Sequence, residues 1–418
     1  MSYDLLNGIR IIELAEVWAG PTACSFMGDL GADVIKIESF PRNSPTRPLF
    51  SSDWRVSPAG TGPPYERAWA HLQANRNKRN IALDLKTTEG VDIFNRLTQT
   101  ADIVIESFSA GTIDKLGIGW EEIKKINDQA SLISIPGWGV EGIYKGYVSF
   151  GTGFDCVTGH AIMRGHPGRK EEEILGSTHS DATVAQALVF AVVSAMQARN
   201  KNKQGIYIDF SQVQQLTTQL VSLYSEWALN KRELPRMGND NEFVVPHSSF
   251  PVAGEYQWVV IVAQNDNQWN GLCRALKKEE WAQFGHKWAT ISGRLADREK
   301  VHEAIANITK SMNSNELCSL LQSEGVIASS VAEPAELLAS EQLGFRQWFQ
   351  SLDNQFLGTR IYPGLSWSIN NVENLPNKPY GTLGEDNYSL LSELGFTQKE
   401  IKNFEKKLVI GNKYEVKG

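Results

Sequence analysis

Asp181 stands directly after Ser180 and before the most apolar stretch of the chain, residues 182–198. That stretch reads as a helix, and a carboxylate at its start is stabilised by the free N–H groups of the first turn and by the helix dipole. Taken by itself, such an aspartate is a cap. Asn75-Arg-Asn-Lys-Arg79 sets the cations Arg76, Lys78 and Arg79, with Asn77 among them, just ahead of an expected strand. Charge-assisted hydrogen bonds from this cluster could hold a phosphorylated ligand, and a solvated strand edge would have the same composition. Gly137-Trp-Gly-Val-Glu-Gly142 fits G-x-G-x-x-G and follows a strand. A dinucleotide site also needs a helix start directly after it and a carboxylate about twenty residues on. Ile143-Tyr-Lys-Gly-Tyr provides no helix start, so the stretch reads as a glycine-rich loop at a strand's C-terminal edge. His160, His166 and His179 lack the i,i+4 and H-x-E spacings of metal sites. With no G-x-S-x-G, a serine nucleophile has no sequence signal either.

The elements that must position these residues alternate between strand and helix. Short apolar runs at 9–14 and 33–37 flank a helix that Pro21 begins and Gly31 ends, which makes a βαβ unit. The pattern continues with strand 80–85, helix 88–99, strand 103–106, helix 120–126 and strand 131–135. Such alternation predicts an α/β fold with a doubly wound, mostly parallel, Rossmann-like sheet. Residues 41–64, rich in Pro, Ser and Gly, read as a long surface excursion that could cover a ligand. After the helix at 182–198 comes a strand at 206–210. From about 236 the composition shifts to a short aromatic strand (256–262) and polar amphipathic helices (269–276, 301–312, 314–323), which reads as a smaller α+β lobe. Residues 387–408 read as two helices split by Gly395 that return to the first domain.

Composition bounds the partners. The 41 Lys+Arg against 48 Asp+Glu in 418 residues give a net charge of −7. That balance argues against a nucleic-acid or anionic-membrane surface. A hydrophobic content of 41% supports a sizeable core. The apolar run 187–196 falls short of the roughly 20 residues of a membrane span, and charged residues interrupt any signal-peptide core near the N-terminus. The expected location is the cytoplasm. Cys24, Cys156, Cys273 and Cys318 are scattered, with neither disulfide nor zinc spacing, and no metal site is expected.

Several segments in one order add a resemblance. Leu6-Asn-Gly-Ile-Arg-Ile-Ile-Glu-Leu, Ala19-Gly-Pro, Leu30-Gly-Ala-Asp-Val-Ile-Lys-Ile-Glu38, Asn77-Lys-Arg-Asn-Ile-Ala-Leu-Asp-Leu, Ala101-Asp-Ile-Val-Ile-Glu-Ser-Phe, Leu116-Gly-Ile and Ile133-Ser-Ile-Pro-Gly form the series. It continues through Asp181 with its helix, Gly325-Val-Ile-Ala and Leu383-Gly-Glu. The series resembles the class III coenzyme A transferases, typified by formyl-CoA transferase and carnitine CoA-transferase.

The resemblance implies CoA transfer from an acyl-CoA thioester to a free carboxylic acid, with Asp181 as nucleophile. Coenzyme A enters as substrate thioester, and no permanently bound cofactor, ATP or metal is required. The resemblance also assigns CoA binding to Arg76, Asn77, Lys78 and Arg79, to the Val17/Trp18 backbone, and to Ser107, Phe108 and Lys115. Ser39 replaces a family arginine after the second strand, and Arg42, three residues on, is the expected substitute. Trp18 stands where formyl-CoA transferase has a glutamine, and that enzyme's tetraglycine loop has no counterpart between Arg236 and His247, which argues against formyl transfer.

The family form implied is an interlocked homodimer, or a heterodimer with a homologous chain. It places a large domain at 1–211 plus 379–418, a small one at 236–334, and linkers at 212–235 and 335–378. Two rivals share the superfamily. A CoA-thioester racemase would carry Gly-His-Asp where this chain has Gly153-Phe-Asp155, and an isomerase moving CoA within one substrate would look the same. A third reading is a non-catalytic subunit of a heteromeric transferase. The acids exchanged are not identified by sequence, with a bulkier aromatic or dicarboxylic acid favoured.

Overall fold

The structure is a computed structural model that describes residues 5–170, 179–367 and 378–415. It contains a six-stranded sheet whose paired strands all run parallel. The chain enters it through β1 (Arg10–Glu13), α1 (Ala19–Asp29) and β2 (Asp33–Ser39). After the excursion come α2 (Trp69–Ala74), β3 (Lys78–Leu83), α3 (Thr88–Thr98), β4 (Ile103–Glu106), α4 (Thr112–Lys115), α5 (Trp120–Ile126) and β5 (Ser131–Ser134). Helices α6 (Gly151–Thr158), α7 (His160–Met163) and α8 (His179–Asn202) precede the edge strand β6 (Tyr207–Asp209). The strand order β3-β2-β1-β4-β5-β6 reverses direction between β1 and β4. In parallel sheets of this kind, ligands bind outside the C-terminal strand ends at that point.

Burial on both faces explains the near-continuous apolar runs of the strands. Ile12, Ile35, Ile81 and Val104 pack on one face with Ile93, Phe94 and Leu97 of α3 and with Leu390 and Phe404 near the C-terminus. Ile11, Val34, Ile103 and Ile133 face the other way, onto Ala23 and Met27 of α1 and Ala185, Leu188 and Val192 of α8. Each of the Val, Leu, Ile, Phe and Met side chains among these contributes about 1.5–3 kcal/mol when fully buried. Helix α8 has 24 residues, longer than the apolar run at 187–196, and by length and composition alone it could cross a membrane. Its stripe Ser180, Val184, Leu188, Val192 and Ala195 is buried within the fold.

Residues 41–64 are pinned rather than loose. Arg47 is fully buried and bonded to both Glu38 and Glu66, which holds the excursion onto the end of β2. Removing one partner of such a buried pair costs about 3–5 kcal/mol.

The chain divides into two compact units. One comprises Met1–His160, Gly176–Ser225 and Gly344–Gly418, and the other Ala161–Leu175 and Glu226–Leu343. The second has a three-stranded antiparallel sheet of β7 (His247–Pro251), β8 (Trp258–Val262) and β9 (Ile327–Ser330). Of these, only the aromatic β8 stood out in the sequence. Its core is built around Trp269, Leu272, Val301 and Leu317. The segment 335–378, expected as a linker, carries an antiparallel hairpin of β10 (Phe349–Asn354) and β11 (Gly358–Pro363). Leu352, Leu357 and Tyr362 of this hairpin are buried with Leu72 and Tyr380, so it packs into the larger unit; residues 368–377 lie outside the described residues.

Candidate active site

Asp181 lies in the first turn of α8, partly shielded from solvent. The backbone N–H groups of Asp181 itself and of Ala19, the first residue of α1, lie close enough to the Asp181 carboxylate to favour the ionised form. Two helix starts therefore meet at one carboxylate, each presenting N–H groups without intrahelical partners. Burial raises the Asp181 carboxyl from the usual 3.8 to about 6, the charge of the buried Asp155 adds to this, and the two N–H groups hold it back. Glycine at 151 leaves room for these side chains where they stand. A Cβ there would stand 2.6 Å from Asp181 Oδ2 and 2.6 Å from Ser180 Oγ. Ser180 Oγ is itself buried and without a hydrogen-bond partner.

The loop from β1 to α1 supplies the opposite wall. Val17 has φ 69°, a left-handed conformation unfavourable for a β-branched residue. Trp18 caps α1 with φ −134° and no side-chain cap bond. Pro21 fits inside the first turn, where its missing N–H costs no helical bond. Gly20 leaves room for the loop, since a Cβ there would meet Ala15 Cβ at 2.4 Å.

From this loop a cleft of about 400 Å³ opens across the C-terminal ends of the strands, lined by Glu16, Ser39, Arg42, Lys86, Phe108 and Leu116 among others. Arg42 reaches Glu16 at 3.3 Å and Ser39 Oγ at 3.2 Å. The hydroxyl of Ser107 accepts the Glu16 backbone N–H at 2.9 Å, and the Phe108 N–H donates to Glu106 at 2.7 Å. Burial pushes Glu106 up to about 7. Lys115 is exposed at the end of α4, next to Leu116. The structure thus brings Val17, Trp18, Arg42, Ser107 and Phe108 to one edge, with Lys115 on its rim.

It does not bring the 76–79 cluster there. β3 begins at Lys78, so Lys78 and Arg79 lie within the strand at its N-terminal end. Four or five residues at about 3.3 Å each separate them along the strand from the cleft at Leu83. Arg79 is paired with Asp33 at 2.6 Å and Glu393 at 2.7 Å. Arg76 is buried against Asp29 at 2.5 Å, and Asn77 bonds the same carboxylate at 2.6 Å. The Lys78 ammonium spends its three protons on Pro21 O, Ala74 O and Asn75 Oδ1. These side chains tie the chain together through carboxylates and carbonyls, and Arg76 also lines a second cavity.

A second cavity, of about 430 Å³, runs along α1 and α8 from Trp18 and Ala182 past Phe26 to Trp348 and Trp367. Elsewhere, His160 and His179 stack edge to face at 4.9 Å, and the 137–142 loop turns back so that the Val140 N–H bonds Asp209 at 3.0 Å.

Sequence reasoning missed Gly151, Asp155, Lys86 and the acid-base cluster beneath Val17. Lys86 had a usable signal, since it directly follows the strand expected at 80–85 and lies three residues past the end of β3. Gly151 had none, because its contact with Asp181 joins distant segments.

The CoA-transferase family III profile matches residues 6–387, and this chain belongs to that family. It is 29% identical over 395 residues to "Succinate--glutarate CoA-transferase" of Agrobacterium fabrum, covering 93% of this chain and 95% of that one. It is 27% identical over 415 residues to "Succinyl-CoA--L-malate CoA-transferase beta subunit" of Chloroflexus aurantiacus, covering 97% and 98%. A CAIB/BAIF family protein from Brucella suis has the same fold, with a TM-score of 0.83 and 28% identity over 93% of this chain and 99% of that one. The chain is accordingly a class III CoA-transferase acting on acyl-CoA thioesters and carboxylic acids.

Proposed function

We propose that Asp181 is the nucleophile of this transferase. The observation that carries the proposal is its carboxylate, held between the starts of α8 and α1 and raised to about 6 by burial and by Asp155. It is therefore mostly ionised at neutral pH, with little competing hydration. The carboxylate attacks the donor thioester carbonyl, forming a mixed anhydride and releasing CoA thiolate. The thiolate attacks the aspartyl carbonyl, freeing the donor acid and leaving aspartyl-CoA. The acceptor carboxylate displaces CoA as a second anhydride, and the thiolate then takes the acceptor acyl group and restores Asp181. Unpaired N–H groups of the first turns of α1 and α8 are suited to stabilise each tetrahedral oxyanion.

CoA in this reading lays its phosphates in the cleft at Arg42, Lys86 and Lys115, with Ser107 and Phe108 beside it, and its thioester on the Val17–Trp18 backbone. The segment 76–79 contributes position rather than charge. The two relatives named for succinate or succinyl-CoA with glutarate and with malate support a dicarboxylic acid as one substrate. Exposed apolar side chains, Phe190 on α8 and Val148 ahead of α6 (76% exposed each), support assembly with a second chain, either a copy or a homologue. The subunit named in one relative makes the homologue a real alternative. The chain is expected to work in the cytoplasm.

The test is transfer by the purified chain alone, from succinyl-CoA to a panel of dicarboxylates, with Asp181→Asn alongside. Transfer by the wild type and none by the variant supports the reading. Full transfer by Asp181→Asn refutes it, and transfer that appears only when a homologous chain is added assigns this chain a subunit role.

A further inference from the structure

Beneath the strained Val17 lies a cluster of charges that touches neither the cleft nor Asp181. Glu13, at the end of β1, is fully buried. Its Oε1 accepts from Lys36 Nζ at 2.9 Å, and its Oε2 stands 2.7 Å from Lys78 Nζ. Both lysines are almost wholly buried, and the buried Cys24 thiol of α1 lies near the same carboxylate, whose charge pushes the thiol up after burial itself. Glu38 and Glu16 are the other charged groups near Lys36. Three ionisable side chains buried together carry a large desolvation cost, so the arrangement must return something that apolar side chains would not.

Each ammonium also bonds a backbone carbonyl at one end of the Ala15–Pro21 segment. Lys36 donates to Ala15 O at 2.8 Å, on the near side of Val17, and Lys78 donates to Pro21 O at 2.8 Å, on the far side. Lys78 also bonds Ala74 O at 3.0 Å and Asn75 Oδ1 at 2.9 Å, which ties α1 to the end of α2. Between the two clamped carbonyls lie Val17 at φ 69° and Ala19, whose N–H meets the Asp181 carboxylate. A non-glycine residue in that conformation persists only where its surroundings over-determine it.

The geometry points to Glu13, Lys36 and Lys78 as positioning residues for the transfer: the triad clamps both ends of the Ala15–Pro21 segment and so aims the Ala19 N–H at Asp181. Lys78 thereby acts from beneath the loop through Glu13 and Pro21, and no phosphate contact is required of it. The inference rests on Asp181 as nucleophile.

Glu13→Gln tests it, since it keeps the shape and loosens both clamps. Losing the Ala19 N–H raises the Asp181 carboxyl, so the acid limb of kcat/KM should move up by about one pH unit. Loss of a buried negative charge, with the loop unmoved, shifts it down, so the sign separates the two causes. Alongside, kcat should fall roughly ten- to a hundredfold from misplacement, with KM for the CoA ester within about twofold of wild type. An unmoved or lowered acid limb overturns the proposal. So does a raised, salt-dependent KM with unchanged kcat, which would make the triad's lysine a CoA ligand. If Glu13→Gln does not fold, Lys36→Met leaves a balanced Glu13–Lys78 pair and frees only Ala15. It should show the same kcat loss at constant KM, and wild-type kcat there overturns the proposal. Asp181→Asn separates the levels: transfer by that variant defeats the nucleophile reading, whereas an inactive Asp181→Asn beside an unaltered Glu13→Gln defeats only the clamp.

Discussion

Replacing Asp181 by Asn should destroy transfer while making the protein more stable. The carboxyl is raised from 3.8 to about 6, by burial first and Asp155 second. Keeping it charged at neutral pH then costs the folded state about 3 kcal/mol, reduced by solvent screening to about 1–2 kcal/mol. Asparagine has no charge to desolvate, and because α8 begins at His179, Asp181 sits inside the first turn and not at the cap, so the change gives up only a modest interaction with the helix dipole. The variant should therefore melt a few degrees higher at pH 7. The gain has a definite pH dependence. The wild-type penalty is complete above pH 6, where the carboxyl is ionised both folded and unfolded. It shrinks as pH falls from about 6 to 3.8, where only the unfolded chain is ionised, and is absent below. Scanning calorimetry of both proteins from pH 4 to 8 reads this directly. A variant that melts several degrees lower at pH 7, with a difference independent of pH, would make Asp181 a structural cap and refute the reasoning.

In the wild type, kcat/KM should rise through an acid limb near pH 6, because only the ionised Asp181 attacks; a flat profile from pH 5 to 7.5 contradicts this. Gly151→Ala should fold and bind CoA ester yet lose roughly a hundredfold in kcat, since its methyl would stand 2.6 Å from Asp181 Oδ2; wild-type kcat would show the carboxylate has room to spare. Arg42→Ala should raise KM for acyl-CoA by an amount that shrinks in salt, whereas Arg79→Ala should lower the folding stability by about 1 kcal/mol and leave KM alone. The reverse pattern would return the phosphates to the 76–79 segment. Arg47→Met should cost about 3–5 kcal/mol by leaving Glu38 and Glu66 buried without their cation, which chemical denaturation measures.

The large sheet was legible because strands buried on both faces are mostly apolar, as Ile103 to Ile105 are and as residues 9–14 are apart from Arg10 and Glu13. Its order was not, since nothing local says that β1 lies between β2 and β4. The smaller unit was harder: β7 and β9 are short and only partly buried, and their residues follow no clean alternation. Asp181 stood out because it opens the longest apolar helix. Arg76, Lys78 and Arg79 were visible as charge but their pairing was not, because the carboxylates beside them, Asp29, Glu13, Asp33 and Glu393, come from remote parts of the chain. A signal was available in Glu13 and Lys36, single charged residues inside apolar strand runs, which must find each other once the strands pair.

The central claim is a covalent bond between Asp181 and the transferred group. Purified wild-type chain incubated with succinyl-CoA, quenched with hydroxylamine and digested, should yield by mass spectrometry a peptide with a hydroxamate at Asp181, formed from the anhydride or the aspartyl-CoA thioester. Transfer-competent enzyme in which Asp181 stays unmodified, or in which another carboxylate carries the hydroxamate, would contradict the account.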